Sequence, residues 1–166
     1  MSIYETKFAP SDKTDAILVV DGKKLHVNKA LLSCHSAHFK TIFNSDPSKE
    51  EIEIKDVNFE DFATVLSFVH LKPIKPTAEN AEKLLELAER FQFPAAKRHL
   101  ELFLIPSILN NDKKIELAEK YQLDDLLNES LEEISIQTFR LSEMFQGFCD
   151  ESKIKILNIF VDEVNS

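Results

Sequence analysis

Cys34, His35 and His38 form the one tight cluster of metal-ligating or nucleophilic side chains in the sequence. On a helix Cys34 and His38 stand one turn apart and share a face, which makes two zinc ligands geometrically available. Zinc takes four, and the others would have to come from Cys149 or a distant histidine. A cysteine–imidazole nucleophile asks for an electropositive, accessible pocket, and nothing around Cys34 marks one. The acidic pairs Asp124-Asp125 and Glu132-Glu133 are adjacent in sequence, so on a helix they diverge and read as a solvated face. Phe59, Phe62 and Phe68 fall at helical spacing and read as core. The two glycines, Gly22 and Gly147, lie outside any run that could bring backbone against a phosphate. The residues point to no enzyme, no cofactor and no metal.

The elements that would position these residues can be read in order. Ala16-Ile17-Leu18-Val19-Val20 is a short β-branched run, apolar throughout like a strand covered on both faces. Asp21-Gly22 makes a tight turn, and Lys24-Leu25-His26-Val27 returns as the second strand of a hairpin. Asn28 caps a helix bearing Ala30, Leu31 and Leu32, and a second helix after Ser33 puts Phe39, Ile42 and Phe43 on one face. A loop from Asn44 to Lys49 leads to Glu51-Ile52-Glu53-Ile54-Lys55, alternating with Ile52 and Ile54 inward. Asn58 caps the next helix, which carries Phe59, Phe62, Val65, Leu66 and Val69 and stops before Pro73. Thr77 caps a further helix, and Pro94 opens one that runs through Leu104. Lys113–Tyr121 and Asp124–Ile136 form a helix pair, and Phe139–Phe145 and Lys153–Val164 two more helices around Gly147. Met1–Lys13 is either a frayed tail or a short strand exchanged with a partner. The order predicts an α+β fold, a small mixed sheet flanked by helices and followed by an all-α extension.

One phrase occurs twice. Leu85–Phe93 reads LELAERFQF and Ile115–Leu123 reads IELAEKYQL. Leu84, Leu87, Ala88 and Phe91 make an apolar stripe with glutamates on the wet side. A thirty-residue period fits a helix, a turn and a returning helix that bury their faces only against a neighbour. Such a unit is built for packing and docking. The net charge of −9 is uneven: residues 1–105 hold 14 Lys+Arg against 16 Asp+Glu, residues 106–166 hold 6 against 13. An acidic helical half without a basic stripe argues against nucleic acid. Two distant cysteines suit a reducing compartment, and the absence of a long apolar stretch argues against a membrane, so a cytoplasmic or nuclear protein is expected.

Asp15–Ile105 resembles the BTB/POZ domain. The family opens with an aspartate, a hydrophobic strand, a turn and a second strand, then a basic residue leading into a "VLxxxSxxF" helix. Asp15-Ala-Ile-Leu-Val-Val, Lys24-Leu-His-Val, Lys29-Ala-Leu-Leu and Ser36-Ala-His-Phe39 occupy those places in order. The later pattern "eNxxxLLxLAxxfq" is met by Asn80–Gln92. The run Lys114–Ile134 looks like the BACK-like helical extension that follows such domains, and the whole is most similar to a nematode group often fused to a MATH domain. The resemblance implies an N-terminal segment over residues 1–13, a BTB/POZ domain over 14–105 and the extension over 106–166. It implies a protein-interaction adaptor forming a homodimer or a heterodimer with another BTB chain. Asp15 and Lys29, fourteen residues apart, would meet in a charged pocket at the dimer interface or form a local ion pair within one monomer. It also implies binding to the third member of the cullin family, as a substrate adaptor of a RING-type ubiquitin ligase. In this sequence the corresponding surface holds Phe43, Pro47, Lys49 and His70. Pro47-Ser48-Lys49 carries Lys where the family often has Glu, and His70-Leu71-Lys72 replaces a frequent Tyr-Thr-Gly. A cullin-independent scaffold, pairing with other chains or docking a peptide, is the alternative. The same resemblance makes Cys34 a buried small apolar residue.

Overall fold

In the computed structural model the apolar run forms β1, Ala16–Val20, paired antiparallel with β2, Lys23–Val27, in the register Ala16↔Val27 to Val20↔Lys23. Asp21 and Gly22 turn the hairpin with φ of 49° and 75°, the left-handed pair that a tight two-residue connection requires. β3, Glu51–Glu53, runs parallel to β1 with Leu18 opposite Ile52, giving the order β2-β1-β3. Ala16, Leu18 and Val20 are buried, whereas Ile17 and Val19 stand half-exposed. The sheet is therefore covered on one face only, unlike the two-sided burial expected from its composition. The structure describes residues 2–132, 147–148 and 150–164. The expected helix Phe139–Phe145, the end of Asp124–Ile136 and Cys149 lie outside the described residues.

The chain divides into two compact units, Met1–Leu100 and Glu101–Ser166. The first begins with α1, Ile3–Lys7, where neither a frayed tail nor a strand is found. Ser2 Oγ accepts the Glu5 amide and Glu5 Oε2 accepts the Ser2 amide, a reciprocal cap that fixes the first turn. α2, Lys29–His35, is capped by Asn28, whose Oδ1 accepts the Leu31 amide. The expected break after Ser33 falls instead at Ser36, which caps α3, Ala37–Ser45, through the Phe39 amide. Its hydroxyl donates to the carbonyl of Phe91, fifty-five residues away, so a long-range contact decides where the chain turns.

Asn58 caps α4, Phe59–Ser67, by accepting from Glu60 and Asp61, and every residue from Phe62 to Phe68 is buried. Thr77 and Asn80 exchange side-chain-to-amide hydrogen bonds in the turn before α5, Ala81–Arg90. α6 spans Pro94–Leu104. The core of the first unit is a phenylalanine cluster in which Phe39 meets Phe43, Phe62, Phe91 and Phe93 at centroid distances of 5.7 to 6.4 Å. Edge, tilted and offset contacts of this kind add about 0.5–1.5 kcal/mol per pair beyond area burial.

The second unit holds α7, Asn111–Tyr121, capped by Asn110; α8, Asp124–Glu132; and α9, Asp150–Val164. Glu101, only 6% exposed, reaches from α6 to accept the Asp125 and Leu126 amides and so satisfies the start of α8. The buried Lys114 ammonium donates to the carbonyl of Ile105, just past the end of α6. The repeated phrase folds the same way twice. α5 and α7 each end on a glutamine in the left-handed region, Gln92 at φ 52° and Gln122 at φ 54°. The next residue then donates back to the helix, Phe93 to Ala88 and Leu123 to Ala118, each at 2.8 Å.

Candidate functional site

Asp15, Lys29 and the Pro47–Lys49 turn come together through hydrogen bonds that converge on Lys29. The Lys29 amide is the first in α2 and donates to Asp15 Oδ1 at 2.7 Å, placing the carboxylate at the positive end of the helix. The Lys29 ammonium turns away from Asp15 and donates to the Pro47 carbonyl at 2.9 Å. The local ion pair is thus not formed within the chain: the side-chain partner of Lys29 is a main-chain oxygen. Asp46 holds the loop, accepting from the Ser48 amide and hydroxyl at 3.2 and 2.6 Å. The Ser48 hydroxyl keeps the Asp46 carboxyl below its ordinary range. The whole stretch Asn44–Glu51 is exposed, Pro47 and Lys49 included.

Phe43 does not join this surface. It is 5% exposed and stacked on Phe39 at 5.7 Å, because one helical turn separates the two rings and both point into the aromatic cluster. This corrects its expected place on a partner-facing surface.

His70 belongs to a second assembly built on α1. Phe8, 1% exposed, closes α1 and meets the His70 ring edge to face at 5.6 Å. Lys7 Nζ donates to the carbonyls of Leu71 and Lys72 at 2.7 and 2.8 Å, and Tyr4 meets Phe59 of α4 at 6.0 Å. Burial first, and then the Lys7 ammonium, push His70 below its ordinary range. Ile3, one turn before Lys7 on the same helix face, is 62% exposed, and Leu71 is 93% exposed. Among the described residues of the first unit these are the exposed large apolar side chains. The sequence offered Ile3, Tyr4 and Phe8 as anchors of a tail or strand and Leu71 only within His70-Leu71-Lys72; Lys7 and the helix itself went unread, although Ser2-x-x-Glu5 is the signature of a capped helix start.

The Cys34 cluster takes a different shape from a ligand set. Cys34 is exposed, correcting its expected burial, and lies on a groove of about 440 Å³ that also touches His35, Ala88, Phe93, Pro94 and Lys97. His38 turns the other way, edge-on to Phe39 and Phe91 at 5.7 and 5.1 Å, and burial followed by the nearby Arg90 lowers its proton affinity. Among the described residues no three His, Cys, Asp or Glu side chains are placed to hold a metal ion, and no helix is long and apolar enough to cross a membrane.

A family model of the BTB/POZ domain matches residues 4–108. A BTB/POZ domain-containing protein of Caenorhabditis elegans is 39% identical over 157 residues, covering 90% of this chain and 50% of that protein. BTB and MATH domain-containing protein 38 of the same organism is 31% identical over 161 residues, covering 91% of this chain and 41% of its own length. The chain spans about half the length, or less, of these relatives. The BTB domain of human gigaxonin aligns with a TM-score of 0.49 at 23% identity, over 55% of this chain and 77% of that one. The capped hairpin, the two short helices after it and the aromatic helical cluster are the frame that the family match spans, and the chain belongs to the BTB/POZ domain family of protein-interaction modules.

Proposed function

We propose that the chain is an intracellular adaptor that pairs through its first unit with a second BTB chain, a copy of itself in the simplest case, and offers its helical unit to another protein. The observation that carries this reading is the exposure of Ile3 and Leu71 at α1 and its neighbouring loop, apolar area of the kind that docking removes from water. Asp15 and Lys29 belong to the proposed pairing surface as its polar, selective part, since charged groups there discourage wrong partners more than they add affinity. Light scattering across a concentration series tests it. The wild-type chain is expected at twice the monomer mass, and Ile3→Glu with Leu71→Glu at the monomer mass. A wild-type chain that stays monomeric at high concentration refutes the reading.

The finer version has the adaptor join the third cullin to a partner through Pro47, Lys49, His70 and their neighbours. Pro47 and Lys49 favour it, because both are exposed in the loop that the family resemblance assigns to the cullin and neither belongs to the proposed pairing face. Capture of the purified cullin by the folded chain at micromolar concentration is the expected result. Pairing without capture would instead support the cullin-independent scaffold.

A further inference from the structure

α1 is the shortest described helix, five residues, and none of its own residues is buried. Its anchors are Tyr4 on Phe59, the buried Phe8, and the Lys7 ammonium on two carbonyls of the loop after α4. His70 sits at the centre of that attachment. Its ring packs edge to face with Phe8, and its Nε2 is buried without a hydrogen-bond partner. Of the charged groups on the elements around it, Lys7 on α1 is the one that bears on its proton affinity, and Lys72 in the same loop lowers that of Lys7; α1 also carries Glu5, and α4 carries Glu60 and Asp61. Among the described residues no carboxylate pairs with His70, Lys7 or Lys72.

We propose that His70 makes α1 a proton-sensitive strap: the helix stays docked over a neutral imidazole, and an imidazolium beside Lys7 loosens it together with the Ile3–Leu71 face. The inference rests on the reading of that face as the pairing surface, whose regulation it names. The neutral ring fits an apolar site with an orphaned nitrogen, whereas the charged ring loses water and meets a like charge. Burial and Lys7 act in the same direction, so the docked state binds the proton more weakly than the freed state, whose imidazole titrates near the ordinary 6.5. Docking is at full strength above that pH and weakens as the pH falls below it.

Hydrogen exchange on the whole chain, corrected for the pH dependence of the intrinsic rate, reads the strap at three amides. Phe8 donates to Tyr4, Thr6 to Ser2, and His26 to the Phe8 carbonyl, so all three lose protection when α1 lifts. A severalfold loss is expected between about pH 7.5 and about pH 5, with the Ser36 and Phe62 amides unmoved over the same interval. His70→Phe keeps an aromatic edge on Phe8 and removes the titration, so its strap amides should be flat with pH; His70→Leu serves if the phenylalanine does not fold. Equal acid sensitivity in wild type and variant overturns the proposal, as does protection that rises on acidification through attraction of the cation to the Phe8 ring. Light scattering on the same samples keeps the two readings apart. A chain monomeric at every pH that still loses strap protection refutes the pairing and upholds the strap, and a pairing chain with pH-independent strap amides does the reverse.

Discussion

Replacing Asp15 separates a role inside the chain from a role between chains. Its carboxylate accepts the Lys29 amide at 2.7 Å, one of the donors at the start of α2 that no helical carbonyl can reach. Losing a side-chain acceptor at a helix start costs about 0.5–2 kcal/mol, and the exposed setting of Asp15 places Asp15→Ala near about 1 kcal/mol. For a unit of this size that is a fall of about 4–8 °C in melting temperature. Asp15→Asn keeps an oxygen for the amide and removes the charge, so only the charge–dipole part, about 0.3–1 kcal/mol, is lost. Thermal unfolding followed by circular dichroism gives the first quantity, and light scattering at matched concentration gives pairing. If Asp15 serves pairing through its charge, Asn weakens the dimer as much as Ala does while melting closer to wild type. An unchanged melting temperature for Asp15→Ala would refute the capping role, and full pairing by Asp15→Asn would remove the charge from the interface.

Gln92→Gly and Gln122→Gly should each stabilise the chain by about 0.5–1 kcal/mol, because both glutamines hold a left-handed backbone that glycine adopts without strain; urea midpoints check this. Phe39→Ala removes a ring at 0% exposure from contact with four other phenylalanine rings and the His38 ring and should cost about 3–5 kcal/mol, read as loss of the unfolding transition of the first unit at ordinary temperature. His38, like His70, binds its proton less readily when folded, so its contribution to stability is complete above about 6.5 and is lost as the pH falls below it. Melting temperatures between about pH 7.5 and about pH 5 should fall less for His38→Phe than for wild type.

Local signals carried most of the fold. Asp21-Gly22, Asn28, Asn58 and Pro94 declare their turns and helix starts through chemistry that acts within three or four residues, and the BTB/POZ pattern is written in the same short runs. What escaped reading depends on partners far away in sequence. Ser36 ends α2 because its hydroxyl finds the Phe91 carbonyl, and no pattern around Ser33–Ala37 announces that. Ile17 and Val19 look like core by composition, and only the one-sided covering of the sheet leaves them half-exposed. The family resemblance places Phe43 on a partner-facing surface, although its spacing of one turn from Phe39 on the same helix turns it inward. The Lys29 ammonium bonds a carbonyl oxygen, which carries no side-chain identity to read. α1 is the exception, since its reciprocal cap is entirely local and was there in Ser2 and Glu5.

The hydrogen bond from the His26 amide to the Phe8 carbonyl also guards an open margin. β2 borders the sheet, and an unsatisfied amide on a border strand invites recruitment of a stranger's backbone, the first step toward insoluble assemblies. By covering that amide with its own leading segment and setting Lys23 and Lys24 alongside, the chain is shielded from such growth. Trimming the polypeptide past Phe8 would strip away that shield, so the first eight residues carry colloidal value quite apart from anything they recognise.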